Sequence, residues 1–209
     1  MRGTIAGAIM RISSHFAARS PVVWSVRQHK DCVAVTFDDG PTELTPHVLE
    51  SLAQGGAKAT FFVLGSQVVQ RPEVVRQILA RGHEIGIHGY DHSMRGFYDQ
   101  VLRCGRELAP YGVVPHIVRT PGGAIPLALT LRLWSSNYTN VLWSLDAHDS
   151  MRLEGKWPGP APDYSQVKGG DIVLMHDDNT LCVQDLPILL EFITKKHLHP
   201  VTVSELLGR

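Results

Sequence analysis

An excess of either charge is missing from this sequence: 20 Lys and Arg balance 20 Asp and Glu over 209 residues, for a formal net charge of zero. A surface without a basic bias lacks the electrostatic footprint of a polyanion binder, so nucleic acid is not an expected partner. Cysteine is scarce and odd in number. Cys32, Cys104 and Cys182 stand far apart, with neither the density of a secreted disulfide framework nor the spacing of a zinc site, which predicts buried thiols in a reducing compartment. Long apolar runs are absent too. The stretch from Ile5 to Met10 is cut off by Arg11, too short for a secretory signal and far below the roughly 20 residues of a membrane span, so the expected location is cytoplasmic. No GxGxxG or GxxxxGK follows any apolar run, which takes support from a nucleotide-binding α/β fold. There is no internal repeat and no low-complexity tract.

What is present is the composition of one globular domain, 44% hydrophobic and 19% charged, long enough to bury roughly 70% of its unfolded surface. From Cys32 onward, short β-branched runs alternate with helical patterns. Strands are predicted over 33–37, 60–63, 84–87, 113–118, 140–143, 172–175 and 200–203, and helices over 45–54, 72–81, 97–109, 126–135 and 185–195. Such alternation implies an α/β fold with a mostly parallel sheet, and leaves open whether the sheet closes as a barrel or stays doubly wound. Residues 1–30 are expected to form an N-terminal helical extension to a domain spanning 31–209. Arg2, Arg11 and Arg19, with no acidic residue before Asp31, allow two readings of its helix: packed against the domain, or in peripheral contact with an anionic membrane. Pro158, Pro160 and Pro162 make 154–170 a loop, either bordering a site or an inert excursion.

Reactive side chains gather directly after predicted strands: Asp38 and Asp39, His88 and His92, Arg119, Asp146 and Asp149, and His176. In parallel α/β folds the carboxyl ends of the strands converge on one face, where sites form. Each signal alone is weak. Random placement of 11 His gives about half an HxxxH pair, and Asp38-Asp39-Gly40-Pro41 also reads as an ordinary turn. Together they say more: two imidazoles and a carboxylate make a divalent-metal site, with a second carboxylate free to act as a base.

Five stretches in order, Thr36-Phe37-Asp38-Asp39-Gly40-Pro41, Glu84 to His92, Arg119-Thr120-Pro121-Gly122-Gly123, Trp143 to Asp149, and Ile172 to Asp177, resemble the motifs of the NodB-type polysaccharide deacetylases, carbohydrate esterase family four. The resemblance runs from about Val33 to Leu207. It implies a single-domain deformed (β/α) barrel and metal-dependent hydrolysis of an acetyl group on a sugar or glycan substrate. Carried over by motif, it makes Asp39, His88 and His92 the metal ligands, with zinc expected ahead of cobalt, nickel or manganese, and Asp38 the general base. Arg119 would hold Asp38 ionised, since a neighbouring guanidinium favours the carboxylate. His176 would be the general acid, oriented and kept protonated by Asp149. The backbone N–H of Gly122, after Pro121, would serve the oxyanion, and Leu174 would wall the acetyl pocket.

The sequence departs from the family pattern at four places. Ser93 follows His92 in place of proline, Gly122 and Ser150 stand where aromatics are usual, and the proline-rich loop replaces a helix. Since aromatic faces stack on sugar rings, their loss points to a short or lipid-linked N-acetylated amino sugar, with Trp157 a candidate replacement platform. Two alternatives carry other expectations: a de-O-acetylase, in which a good leaving group makes His176 less necessary, and a catalytically silent glycan-binding module, which needs neither Asp38 nor His176.

Overall fold

The computed structural model describes residues 20–209; residues 1–19, on which most of the expected N-terminal helix and its membrane contact fall, lie outside the described residues. Among the described residues nine strands form one sheet: β1 (Val22–Val23), β2 (Cys32–Asp38), β3 (Thr60–Val63), β4 (Glu84–Ile87), β5 (Ile117–Val118), β6 (Thr139–Val141), β7 (Leu145–Asp146), β8 (Ile172–His176) and β9 (His199–Val201). Their order is β1-β6-β5-β4-β3-β2-β8-β7, every pairing of these strands is parallel, and β9 adds to the start of β2. With β1 and β7 as its two ends, the sheet is the curled, incompletely closed form of a (β/α) barrel.

Around it stand α1 (Thr45–Gln54), α2 (Gly65–Gln70), α3 (Pro72–Ala80), α4 (Phe97–Leu108), α5 (Leu127–Ser135), α6 (Asp149–Leu153), α7 (Thr180–Lys195) and α8 (Val203–Leu206). Because both faces of such a sheet are covered, its strands are apolar almost throughout. The period of two in β2 then sorts its residues. Val33, Val35 and Phe37 join the outer core with Val48, Leu49 and Leu52 of α1 and Leu186 and Leu189 of α7. Ala34 belongs to an inner cluster with Phe62, Ile117, Val141, Ile172 and Val203 and Leu206 of α8. Thr36 and Asp38 therefore share the inner face, and the β2–β8 register sets Thr36 opposite Leu174 and Asp38 opposite His176.

Local chemistry explains where boundaries differ from expectation. The strand expected from residue 113 is only Ile117–Val118: Val114 is exposed and Pro115 has no N–H for a ladder. Helix α7 starts at Thr180, well before residue 185, because the side chain of Asn179 caps it by accepting from the Cys182 N–H at 3.0 Å. β9 stops at Val201 because Thr202 is the N-cap of α8, with Glu205 completing a capping box. At the described end of the expected helical extension, Val22 and Val23 form strand β1 against Asn140 and Val141, so that part is strand and not helix. All three cysteines are free thiols; Cys104 and Cys182 are buried as expected, but Cys32, first residue of β2, is only partly buried. Among the described residues, no helix is long and apolar enough to cross a membrane.

Candidate active site

The site begins where β2 ends. Asp38 is buried, and its Oδ1 accepts from Arg119 Nη1 at 2.8 Å. Arg119, which follows β5, is fully buried and well supplied with acceptors: Nε donates to the Val141 carbonyl at 2.8 Å, Nη1 also to Thr36 Oγ1 at 2.8 Å, and Nη2 to the Leu142 carbonyl at 3.2 Å. Its guanidinium lies 4.1 Å above the Phe62 ring. A buried cation is tolerated only when bonded in this way.

Asp39 turns away from the strand with φ of 74°, a left-handed geometry that Asp tolerates better than most residues. Its Oδ1 faces two imidazoles, 3.6 Å from His88 Nε2 and 3.6 Å from His92 Nε2. His88 is fixed by a 2.8 Å hydrogen bond between Nδ1 and the Arg119 carbonyl, which leaves Nε2 pointing at Asp39 and 3.7 Å from Asp38 Oδ2. Burial lowers the pKa of His88, against the pull of Asp38 and Asp39, so the ring is held towards the neutral form that a ligand requires. One potential ligand atom from each of Asp39, His88 and His92 falls within 4.8 Å of the others. Asp39 Oδ1 is buried with no hydrogen-bond partner. An orphaned carboxylate oxygen among aligned imidazoles is what a divalent cation would satisfy, so these three residues fit a metal ion.

Across the mouth, His176 ends β8 and Asp149 opens α6. Asp149 is fully buried; its Oδ1 lies 2.7 Å from His176 Nδ1, and Asn179 Nδ2 donates to Oδ2 at 3.3 Å. Burial of the His176 ring lowers its pKa, but the hydrogen bond and charge of Asp149 outweigh this and push it up to about 9. His176 is therefore an imidazolium at neutral pH, a proton donor facing the carboxylates. Leu174 sits one inward position below His176, buried. Pro121 is buried in the tight turn after β5, and Gly122 beside it is exposed at φ 60° with nothing within 4 Å of where a Cβ would stand. Space for an aromatic exists there, but the backbone conformation favours glycine.

Two contributors escape sequence reasoning. Gln100, on α4, ties down the loop that carries His92: its Oε1 accepts from Tyr90 and Asp91 N–H, and its Nε2 donates to the Ser93 and Arg95 carbonyls. Asn179 is the other, through its bonds to Asp149 and to the His176 carbonyl at 3.1 Å. Neither stands in a recognisable spacing, because an amide bracing a loop needs reach and not register. Trp157 lies flat on His148, ring centroids 3.6 Å apart at 14°, and donates to the Pro160 carbonyl at 2.8 Å. Asp146 braces the same strand end by accepting from the His148 N–H at 2.7 Å.

Comparison with known proteins agrees with this geometry. The sequence model of the family described as polysaccharide deacetylase matches residues 25–141. A peptidoglycan-N-acetylglucosamine deacetylase of Bacillus cereus is 36% identical over 202 residues, covering 89% of this chain and 92% of that protein. A chitooligosaccharide deacetylase of Sinorhizobium fredii is 34% identical over 161 residues, 69% of this chain and 71% of its own. Among solved structures, the T48 deacetylase with substrate superposes with a TM-score of 0.75 at 33% identity, covering 86% of this chain and 92% of that one. With the fold, the ordered motifs and these relatives in agreement, the chain belongs to the polysaccharide deacetylase family, hydrolases that act on the amide bonds of acetylated sugars.

Proposed function

We propose that this protein removes the N-acetyl group from an amino sugar in a glycan and releases acetate. The observation that carries the reading is the opposition of two differently prepared groups across one mouth: the carboxylate Asp38, paired with Arg119, and the imidazolium His176, paired with Asp149. An amide needs both a base to activate water and an acid to protonate the departing nitrogen. An ester's alkoxide leaves more readily, and a binding module requires neither group, so the pair favours amide hydrolysis over both alternatives. The relatives named peptidoglycan-N-acetylglucosamine and chitooligosaccharide deacetylases support the same substrate class.

Asp39, His88 and His92 would hold a divalent ion, with zinc the first choice for two imidazoles and one carboxylate. Such an ion supplies Lewis acidity to the acetyl carbonyl and acidifies water. Asp38 takes the proton of the attacking water, its other oxygen fixed by Arg119. The Gly122 N–H steadies the tetrahedral oxyanion, and Leu174 lines the space for the methyl. His176 passes a proton to the sugar nitrogen as the C–N bond breaks, leaving a free amine and acetate.

The test is acetate release by zinc-loaded protein from N-acetylglucosamine, chito-oligosaccharides, peptidoglycan fragments, lipid-linked amino sugars and O-acetylated sugars. Turnover of at least one N-acetylated sugar is expected. Turnover confined to O-acetyl esters, or tight glycan binding without any turnover, would replace this reading with one of the alternatives.

A further inference from the structure

Helix α5 is apolar on nearly every side: Leu127, Ala128, Leu129, Leu131, Leu133 and Trp134 belong to its 9 residues. That is the composition of a helix covered all round. Yet only Thr130 and Leu133 are buried, while Leu127 is 69% exposed, Leu131 50% and Trp134 51%. These three recur at i, i+4 and i+7, which aligns them in one stripe. Ile125, just ahead of the helix, is 47% exposed. A patch of this kind on a folded domain marks an interaction surface.

Charge says what meets it. From Leu108 to Leu145 the sequence contains no Asp or Glu. Arg132 is exposed on the helix itself, its guanidinium 3.8 Å over the Tyr98 ring. Where the helix leads into β6, Arg209 donates to Thr139 Oγ1 at 3.0 Å. The exposed cation at the stripe is thus Arg132, on a segment without a carboxylate, and the occupant should be apolar with an anionic border. A second copy docking by this face would offer Arg132 no carboxylate from its own residues 108–145.

We propose that the α5 face docks onto an anionic lipid bilayer, with Leu127, Leu131 and Trp134 in the headgroup boundary and Arg132 among the phosphates. Apolar residues along one side of a helix, with tryptophan and arginine at the edge, are the composition of interfacial binding. Gly122 lies five residues before Leu127 in the chain, so docking would bring the mouth of the candidate site close to the membrane surface. The proposal rests on the helix face and is independent of the reaction assigned to the site.

The experiment is flotation of the full chain with vesicles of phosphatidylcholine alone and with added phosphatidylglycerol, comparing wild type with Leu131→Ser/Trp134→Ser and with Arg132→Glu. Both sites are exposed, and thermal melting followed by circular dichroism checks that folding is kept. Wild type should float with the anionic vesicles. The double substitution should lower partitioning by about tenfold or more, and Arg132→Glu should weaken it only on anionic vesicles. Absence of wild-type flotation overturns the proposal. So does binding that survives the double substitution but disappears on removal of residues 1–19, and so does concentration-dependent dimerisation that the double substitution abolishes in a chain that never floats.

Discussion

His176 is gripped twice by a single carboxylate: Asp149 Oδ1 lies 2.7 Å from the ring Nδ1, and Asp149 Oδ2 accepts from the main-chain N–H of His176 at 2.8 Å. The bidentate hold sets both the backbone and the ring, and leaves Nε2 on the side of the ring away from Asp149.

It also sets the pH response. A folded-state pKa of about 9, above the unbonded value of 6.5, means that the pair's contribution to stability is fully present below pH 6.5 and lost as pH rises through about 9. Asp149→Asn should therefore move the alkaline limb of the kcat profile to lower pH and reduce kcat by roughly 10²-fold. It should also cost more stability at pH 6 than at pH 10. An alkaline limb that stays in place would remove the pair from the proton-donor role.

The adjacent carboxylates separate by role. Asp38→Asn should keep bound zinc, since Asp39, His88 and His92 remain, while turnover falls by roughly 10²-fold or more. Asp39→Asn should lose zinc. Elemental analysis of the two purified variants decides; zinc lost from the first and kept by the second would exchange the assignments.

Gln100 serves the loop of His92 through four backbone groups. Gln100→Ala should weaken zinc affinity by about tenfold, in the manner of groups that orient ligands from behind, while leaving the pH limb assigned to His176 unmoved. Competition with a chelator measures the affinity. An unchanged constant would show that the loop keeps its shape through other contacts, such as the Ser93 N–H to Asp91 Oδ1 bond of 3.2 Å.

The catalytic face was legible because strand period and parallel topology are written locally. Asp38, His88, Arg119 and His176 each stand at or just after the end of an apolar run, and parallel strands bring such ends together. The motif resemblance named their roles without any distance. Support for the site was less legible. Nothing near Gln100 announces that its amide reaches four groups of a preceding loop, and nothing in Asn179 distinguishes a helix cap from a cap that also binds Asp149. Two of the shortest strands escaped for a related reason: β1 and β7 have 2 residues each and owe their form to the strands beside them, whereas the equally short β5 was legible only as the end of a longer apolar run, 113–118.

His83 supplies a stability test remote from the site. Burial, with Lys58 and Arg81 nearby, pushes its pKa down to about 4. The folded state keeps this ring neutral while the unfolded chain takes up a proton near 6.5, so stability falls as pH drops from 6.5 towards 4. At pH 5 the loss is about 2 kcal/mol by linkage. Melting temperature against pH should be flatter below pH 6.5 in His83→Gln than in wild type. Parallel curves would mean that the ring is protonated in the fold.

Substrate length is the remaining test, and it turns on aromatic surface. A groove that stacks a long glycan gains binding energy from each added ring only if that energy is realised in the transition state. Here Gly122 presents no side chain, Ser150 takes the place of another aromatic, and Trp157 is engaged elsewhere. Its indole lies against His148, its Nε1 is bonded to Pro160, and a Cβ added at Gly159 would come within 2.7 Å of its ring atoms. A ring covered on one face and closely approached by the loop backbone acts as a clasp for residues 157–160 and has little surface left for sugar. On this basis kcat/KM should stay level from the monomer to the hexamer of N-acetylglucosamine. Trp157→Ala should lower stability by about 0.5–3 kcal/mol, the range of most single substitutions that remove packing, without creating a length dependence. A steep rise of kcat/KM with length that Trp157→Ala abolishes would show instead that the indole leaves His148 to stack on the glycan, and that the site accommodates an extended polymer.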